Sequence, residues 1–285
     1  MKVILGDALT PDVESAWLNG YWLLANLLIE KEGDIYKNSN WKGFEDFVIT
    51  NKVNETNDIV SLYLKPSNND KLSLDFKPGQ FVSVRVFVEQ LNLYQIRQFS
   101  LSDPPTNKHF RISVKKEPGN VSNVIHDKIN VGDVVGISSP CGSFTLDEEA
   151  SPIVLISAGV GVTPVLSMLN NLLSINQNSF VSWIQMNRSQ STHPFLNEIS
   201  KIDSNRLQTT FFYSNPQSNS NKNTDVSYIE GRIDLSKVGS NKLHTDNSLT
   251  QYYICGPNGF MNNVTDQLKC FGANENNIHS ESFGV

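Results

Sequence analysis

Arg97-Gln98-Phe99-Ser100 places an arginine, an aromatic ring and a hydroxyl within four residues. On a β-strand, alternation puts Arg97 and Phe99 on one face and Gln98 and Ser100 on the other. That set suits a ligand with a phosphate, a flat ring and a polar ring edge, and equally an ordinary strand with a surface arginine. Gly119-Asn120-Val121-Ser122 stands just before an expected helix. A helix N-terminus offers free N–H groups to a phosphate, although a plain capped helix reads the same way. Gly159-Val160-Gly161-Val162-Thr163-Pro164 follows the apolar run Ile153 to Ser157. A glycine-rich strand-to-helix turn is a common pyrophosphate cradle, and Pro164 suits the first turn of the next helix. The spacing is not GxGxxG, because proline takes the third glycine's place, and no Gly-Lys-Ser/Thr makes it a Walker loop. Cys255-Gly256-Pro257-Asn258-Gly259 ends another apolar run, where open parallel sheets bind ligands. Its thiol has no adjacent histidine to make it a nucleophile. Glu281-Ser282-Phe283-Gly284 reads by itself as a frayed tail.

These groups need elements to hold them. The chain has 285 residues, and at roughly 150 residues per domain it holds about two domains. With 39% apolar and 18% charged residues it can build ordinary cores. A net charge of -6 argues against a nucleic-acid surface, which needs a basic stripe. Cys141, Cys255 and Cys270 fit neither a disulfide framework nor a CxxC zinc site, so no metal site and a reducing compartment are expected. The longest apolar stretch, Tyr21 to Ile29, contains Asn26 and falls far short of the ~20 residues of a membrane span. Without a cleavable signal pattern the expectation is a cytoplasmic globular protein.

Thr10 is a suitable N-cap, Pro11 suits the first helical position, and Val13, Trp17, Leu24 and Leu28 recur at helical spacing to about Tyr36. Leu23, Leu27 and Ile29 widen the stripe until the helix needs neighbours on more than one face. Phe47 to Val53, Ile59 to Leu64, Gln80 to Val88, Gln98 to Leu101 and Phe110 to Val114 read as strands of a small antiparallel barrel over 41–147. From Ser151 apolar strands alternate with helices: Ile153 to Ser157, a helix from Thr163 to Leu173, Phe180 to Gln185, Leu207 to Tyr213 and Gln251 to Cys255. That rhythm implies a parallel sheet covered on both faces. Ser214 to Thr224 reads as a surface loop.

Taken in order, Lys77-Pro78-Gly79-Gln80-Phe81, Arg97 to Ser100, Gly119 to Ser122, Gly159 to Pro164, Cys255-Gly256-Pro257 and Glu281 to Gly284 resemble the ferredoxin–NADP reductase superfamily. More narrowly, the chain resembles the reductase half of the flavohemoglobins, the nitric oxide dioxygenases. Leu5-Gly6-Asp7-Ala8, Trp17, and Ile35-Tyr36 leading into Trp41-Lys42-Gly43-Phe44 carry the narrower likeness. They resemble the last globin helix and the linker of that family, and the likeness spans essentially the whole chain. It implies an α+β multidomain protein: a remnant globin helix at 1–40, an antiparallel β-barrel FAD-binding domain at 41–147, and an α/β parallel-sheet NAD(P)-binding domain at 148–285.

Residue by residue, the resemblance sets Arg97 on the FAD phosphates, Phe99 on the isoalloxazine and Ser100 near flavin N5, with Gln98 in the same motif. Phe99, and Phe81 after Pro-Gly-Gln, stand where the family has tyrosines. Losing one hydrogen bond costs around 0.5–1.5 kcal/mol, so weaker FAD retention or a shifted flavin potential is expected. Gly119, Val121 and Ser122 match the phosphate-binding helix start, and Gly159, Val160, Gly161, Val162, Thr163 and Pro164 the dinucleotide loop. Cys255, Gly256 and Pro257 match the nicotinamide site. Glu281 matches the acidic residue that tunes the flavin, followed by Ser282, Phe283, Gly284 and Val285 beside the ring, with Val285 where relatives carry proline. Glu32 matches a glutamate that, in the family, joins a relay to the haem's proximal histidine. The expected catalytic set is therefore Glu32, Ser100, Cys255 and Glu281.

Implied cofactors are FAD and NAD(P)H, with haem b in full-length family members. Haem iron needs an axial ligand, yet His109, His126, His193, His244 and His279 all follow the globin-like segment. The chain is thus expected to pass hydride from NAD(P)H to FAD and single electrons onward. The acceptor would be a haem-globin domain, which in the family converts nitric oxide to nitrate, or another acceptor, with no nucleic-acid or membrane partner. A stand-alone reductase for a separate haem or iron–sulfur protein, or an inactive fragment, is the alternative. Arg188-Ser189 could meet the extra phosphate of NADPH or simply face solvent.

Overall fold

The computed structural model describes residues 6, 9–37, 39–68, 72–149, 152–175, 180–203, 205–216 and 228–283, without the side chains of 34–36. Gly284 and Val285, Leu5, Asp7 and Ala8, and the loop expected at Ser214 to Thr224 from residue 217 on, lie outside this set.

The first element is α1 (Pro11–Lys37), 27 residues long. Thr10 caps it, its hydroxyl accepting from the Val13 N–H at 3.4 Å, and Asp12, Glu14 and the terminal Lys37 suit the helix dipole. The neighbours expected on more than one face are not found among the described residues. Trp17 is 60% and Leu23 67% exposed, and Tyr21, Trp22, Leu24, Leu27, Leu28 and Ile29 are exposed with them. Beyond α1 the chain is anchored to the first sheet by Trp41, whose Nε1 donates to Ile137 O at 3.1 Å and whose ring packs near Phe47 and Phe110.

That sheet is antiparallel and six-stranded. It contains β1 (Phe44–Asn54), β2 (Ile59–Pro66), β3 (Phe81–Val88), β4 (Leu93–Ser100), β5 (Phe110–Lys115) and β6 (Val134–Ser138), in the order β4-β3-β6-β1-β2-β5. The edge strands β4 and β5 touch through one bridge, Leu101 to Ile112, so the barrel stays open there. The helix α2 (Asn120–Asp127) packs at β3, β4 and β5 and buries Val121 and Ile125 in the core. Two features differ from the sequence reading. β4 begins at Leu93 rather than Gln98, because an edge strand exposed on both faces carries no hydrophobic alternation. β6 went unread because Gly136 interrupts its apolar run; there a Cβ would meet Arg85 Nε at 3.0 Å.

The second sheet is parallel. It follows as β7 (Ile153–Ala158), α3 (Val162–Ile175), β8 (Val181–Asn187), α4 (Leu196–Ile199), β9 (Leu207–Tyr213), β10 (Tyr228–Glu230), α5 (Ser240–Leu243), β11 (Gln251–Cys255), α6 (Asn258–Cys270) and β12 (Ile278–Glu281), ordered β10-β9-β8-β7-β11-β12. The direction of chain progression reverses between β7 and β11, which makes their carboxyl ends the topological switch point. Continuous apolar strands follow from coverage on both faces: Ile153 and Leu155 pack under α3, while Val154 and Ile156 pack with Met261, Val264 and Leu268 of α6. The polar edge strand β12 and the short β10 left no apolar trace in the sequence. Among the described residues, no helix is long and apolar enough to cross a membrane.

Candidate functional site

The register of β4 on β3 fixes the faces expected from alternation. Arg97 pairs with Val84 and Phe99 with Val82, both core residues, while Gln98 pairs with Ser83 and Ser100 with Phe81. Arg97 and Phe99 therefore share the barrel's inner face at its open edge. Phe99 rests partly on the core, and Arg97 is exposed, its Nη1 donating to Ile96 O at 2.8 Å. Phe81 is held by paired backbone hydrogen bonds to Cys141, 2.9 Å each way, and its ring lies against Gly142, where a Cβ would stand 3.1 Å from it. At the start of α2, nothing lies within 4 Å of a Cβ built on Gly119. The Ser122 hydroxyl is turned back, donating to Glu117 O at 2.9 Å and accepting from Glu117 N at 3.2 Å. What this helix start offers a ligand is therefore its backbone N–H groups, with open space beside them.

On the parallel sheet, Gly159 takes φ +55 with open space around it, a left-handed conformation that favours glycine. Gly161 is confined: a Cβ there would stand 2.4 Å from Cys255 O and 2.7 Å from Gly256 N. The β7–α3 and β11–α6 turns thus abut backbone to backbone at the switch point. Val162, Thr163 and Pro164 are buried, and the Thr163 hydroxyl donates to Val160 O at 3.0 Å, so these side chains shape the turn from within. Pro257 caps α6, its carbonyl accepting from Phe260 and Met261 N–H.

Glu281 joins the two halves. It pairs with Cys255 across β12 and β11 and lines a cavity of about 260 Å³ with Ser143, Phe144 and Thr145 from the barrel's exit segment. The hydrogen-bonded and paired backbone runs Ser100–Phe81–Cys141 on one side and Cys255–Glu281 on the other, with the Glu281 charge felt at both thiols. Burial raises the Glu281 carboxyl above its ordinary value. Burial first, and the nearby Glu281 second, raise the Cys141 and Cys255 thiols, so neither is a ready thiolate. Ser282 donates to Asn258 Oδ1 at 2.6 Å, and Phe283 is exposed beyond it. Glu32 stands exposed on α1, an element outside both sheets, and is not brought to this cluster. Arg188 is exposed at the end of β8, while the Ser189 hydroxyl is engaged by Ser191 and Thr192.

Among the described residues, several buried polar atoms on the parallel strands have no hydrogen-bond partner: Ser157 Oγ on β7, Gln185 Nε2 and both amide atoms of Asn187 on β8, and Glu281 Oε2 on β12. Buried polar groups are normally paired, so a polar ligand at the strand ends is the natural complement. With the exposed Arg97, the open helix start at Gly119 and the turn at Gly159, the residues fit two phosphate-bearing ligands meeting near Glu281. The sequence reading missed Ser157, Gln185 and Asn187, which lie inside otherwise apolar strands and carry no motif.

A barrel with an anion-ready open edge, set against a parallel sheet whose switch-point turns face it, defines a two-domain flavin reductase of the ferredoxin–NADP reductase type. Residues 46–146 match the oxidoreductase FAD-binding domain family and residues 155–266 the oxidoreductase NAD-binding domain family. The flavohemoprotein of Bordetella pertussis is 37% identical over the whole chain and 73% of its own length; that of Rhizobium meliloti is 38% identical over the whole chain and 72% of its own. Among solved structures, the FAD/NAD-binding domain of nitric oxide dioxygenase from Vibrio cholerae superposes with TM-score 0.75 and 32% identity, covering 85% of this chain and 99% of that one. The flavohemoglobin of Malassezia yamatoensis, with bound FAD and heme, gives TM-score 0.80 and 30% identity over 99% of this chain and 71% of that one. The chain belongs to the flavohemoprotein family. It is an NAD(P)H-dependent FAD oxidoreductase.

Proposed function

We propose that this chain serves as the electron-input part of a flavohemoprotein, with a haem-bearing globin segment as acceptor and nitric oxide dioxygenation to nitrate as the activity it supports. The observation that carries the reading is the abutment of the Gly159–Gly161 and Cys255–Gly256 turns opposite the Ser100–Phe81–Cys141 edge, with Glu281 between them. FAD, when bound, supplies the conversion of a two-electron hydride into single-electron steps. The protein's own part is placement. Arg97 and the α2 N–H groups would hold phosphate at the barrel edge, Phe99 would pack on the flat ring, and Ser100, paired with Phe81 at the strand end, would present its hydroxyl to the ring's polar edge. The two glycine turns would seat the dinucleotide, Cys255 and Pro257 would bound the nicotinamide, and the desolvated Glu281 would set the field where the two cofactors meet.

The partition 1–40, 41–147 and 148–285 and a cytoplasmic site of action belong to the same reading. In this reading haem belongs to the globin segment and not to the two lobes. His109, His126, His193, His244 and His279 all lie in the two lobes and each has a hydrogen-bonding partner there. None stands on α1. The exposed apolar α1 supports a globin segment as the acceptor's carrier, because such a segment would cover it. The test is an absorption spectrum of the chain with FAD and hemin before and after anaerobic NADH. The expected result is a flavin spectrum that bleaches without a specific haem band. A flavin that stays oxidised would defeat the reductase reading, and a haem band that becomes reduced would defeat the assignment of haem to another segment.

A further inference from the structure

The lobes meet at a second polar cluster, away from the turns described above. Arg111 on β5 is 5% exposed. Burial pulls its pKa down, but Glu198 and Asp103 outweigh that and the net shift is upward, so the guanidinium is a fixed cation. Its Nη1 donates to Glu198 Oε2 at 3.0 Å and its Nη2 to Glu198 Oε1 at 3.4 Å, from barrel to nucleotide lobe. Nη2 also donates to Ser102 O at 2.5 Å, and the guanidinium lies 5.2 Å from the Phe195 ring centroid. Glu198 Oε1 accepts from Asn170 Nδ2 at 2.7 Å, and Ser167 Oγ donates to Asp103 O at 2.7 Å.

The placement of these bonds is what matters. Ser102 and Asp103 immediately follow the end of β4, which carries Ser100 and Phe99. Ser167 and Asn170 stand on α3, whose first turn continues from Gly159–Gly161. A short hydrogen-bonded path therefore runs from the flavin strand through Arg111 and Glu198 to the helix bearing the dinucleotide turn. A partly buried ion pair is a weak stabiliser because desolvation offsets its attraction, but a planar guanidinium bonded through Nη1 and Nη2 fixes angle and separation. Hydride transfer depends steeply on separation.

Building on the reductase reading, we propose that Arg111, with Glu198 as its counter-charge, is a positioning residue that sets the distance between the flavin strand and the dinucleotide turn. Double electron–electron resonance on the chain without cofactors reads the separation of the two lobes that carry these elements, using labels on Cys270 of α6 and on an introduced K65C of β2, with Cys141 replaced by serine. The parent should give one narrow distribution, and Glu198→Gln and Arg111→Lys should broaden or shift it. In the same variants kcat for NADH-dependent ferricyanide reduction should fall about tenfold, while KM for NADH and flavin content hold. Should Glu198→Gln not fold, Asn170→Ala, which removes only a support of Glu198, is read by the same criteria. An unmoved distribution overturns the proposal, as does a changed one with kcat intact, or a kcat loss that merely follows lost flavin. Because the distance needs neither cofactor nor turnover, failure of the reductase reading would show separately, as absent NADH oxidation in the parent.

Discussion

The two lobes build their proposed sites for phosphate-bearing ligands by opposite means. The barrel uses side chains on an edge strand, the exposed Arg97, the half-buried Phe99 and the buried Ser100, with open space at the nearby helix start at Gly119. The parallel sheet uses backbone, two glycine turns pressed together so tightly that a methyl group at Gly161 has nowhere to go. Side chains on an open edge can be exchanged one contact at a time. A backbone cradle is all or nothing, and its tolerance to substitution should be correspondingly poor.

The sharpest break in that comparison is Gly161→Ala. Its Cβ would stand 2.4 Å from the Cys255 carbonyl oxygen, and overpacking of this kind costs about 1–3 kcal/mol. NADH-dependent flavin reduction should fall roughly 100-fold through misplacement of the turn, with flavin content unchanged because the barrel is untouched. Stopped-flow reduction beside a flavin absorbance ratio checks both halves of the expectation; loss of flavin would show that the lobes are not separable in this way.

The sheet's dependence on burial also predicts an acid response. His193 is 4% exposed, bonded to Tyr213 Oη at 2.7 Å and Gln185 Oε1 at 2.9 Å, and burial lowers its pKa to about 3. Between the unfolded value near 6.5 and that folded value, the unfolded chain holds the extra proton. Stability is therefore present above pH 6.5 and falls as pH drops, by about 1.4 kcal/mol per pH unit from this group. Urea midpoints from pH 7 to pH 4 should drop less steeply in His193→Gln than in the parent. Parallel slopes would refute the assignment.

On the barrel side the effects should be graded. Arg97→Ala should weaken FAD roughly 10- to 100-fold, the range for losing charge-assisted hydrogen bonds, while leaving the fold intact, as measured by fluorescence titration of the stripped chain. Phe81→Tyr and Phe99→Tyr should act in the other direction and least of all. Each restores a hydroxyl, worth about 0.5–1.5 kcal/mol, or a few-fold tighter FAD. A weaker FAD in either variant would show that the phenylalanine is the better fit here.

How much of this was legible in the sequence divides along the same line. The parallel strands announced themselves because burial on both faces leaves unbroken apolar runs such as Ile153 to Ser157. The first half of β4, β6 and β12 did not, since each lies at an edge or carries a glycine or polar residues that erase the pattern. Of the site, the motif residues were visible from order and resemblance, and all but Glu32, Gly284 and Val285 are placed in the two lobes. Arg111 and Glu198 could not be read, because nothing in the sequence reveals that residues 87 apart share a partly buried ion pair.

The open side of β4 has one more consequence, for the protein in crowded solution. Over most of its length β4 has a sheet partner on one side only, and a bare strand edge is a template for adding a strand from another chain. The exposed charge of Arg97, between the exposed Ile96 and Gln98, is the kind of residue that discourages such self-association. On the proposed reading one arginine would guard the edge while the ligand is away and help hold the ligand when it arrives, so that the empty and the loaded chain would both be kept from one another's strands.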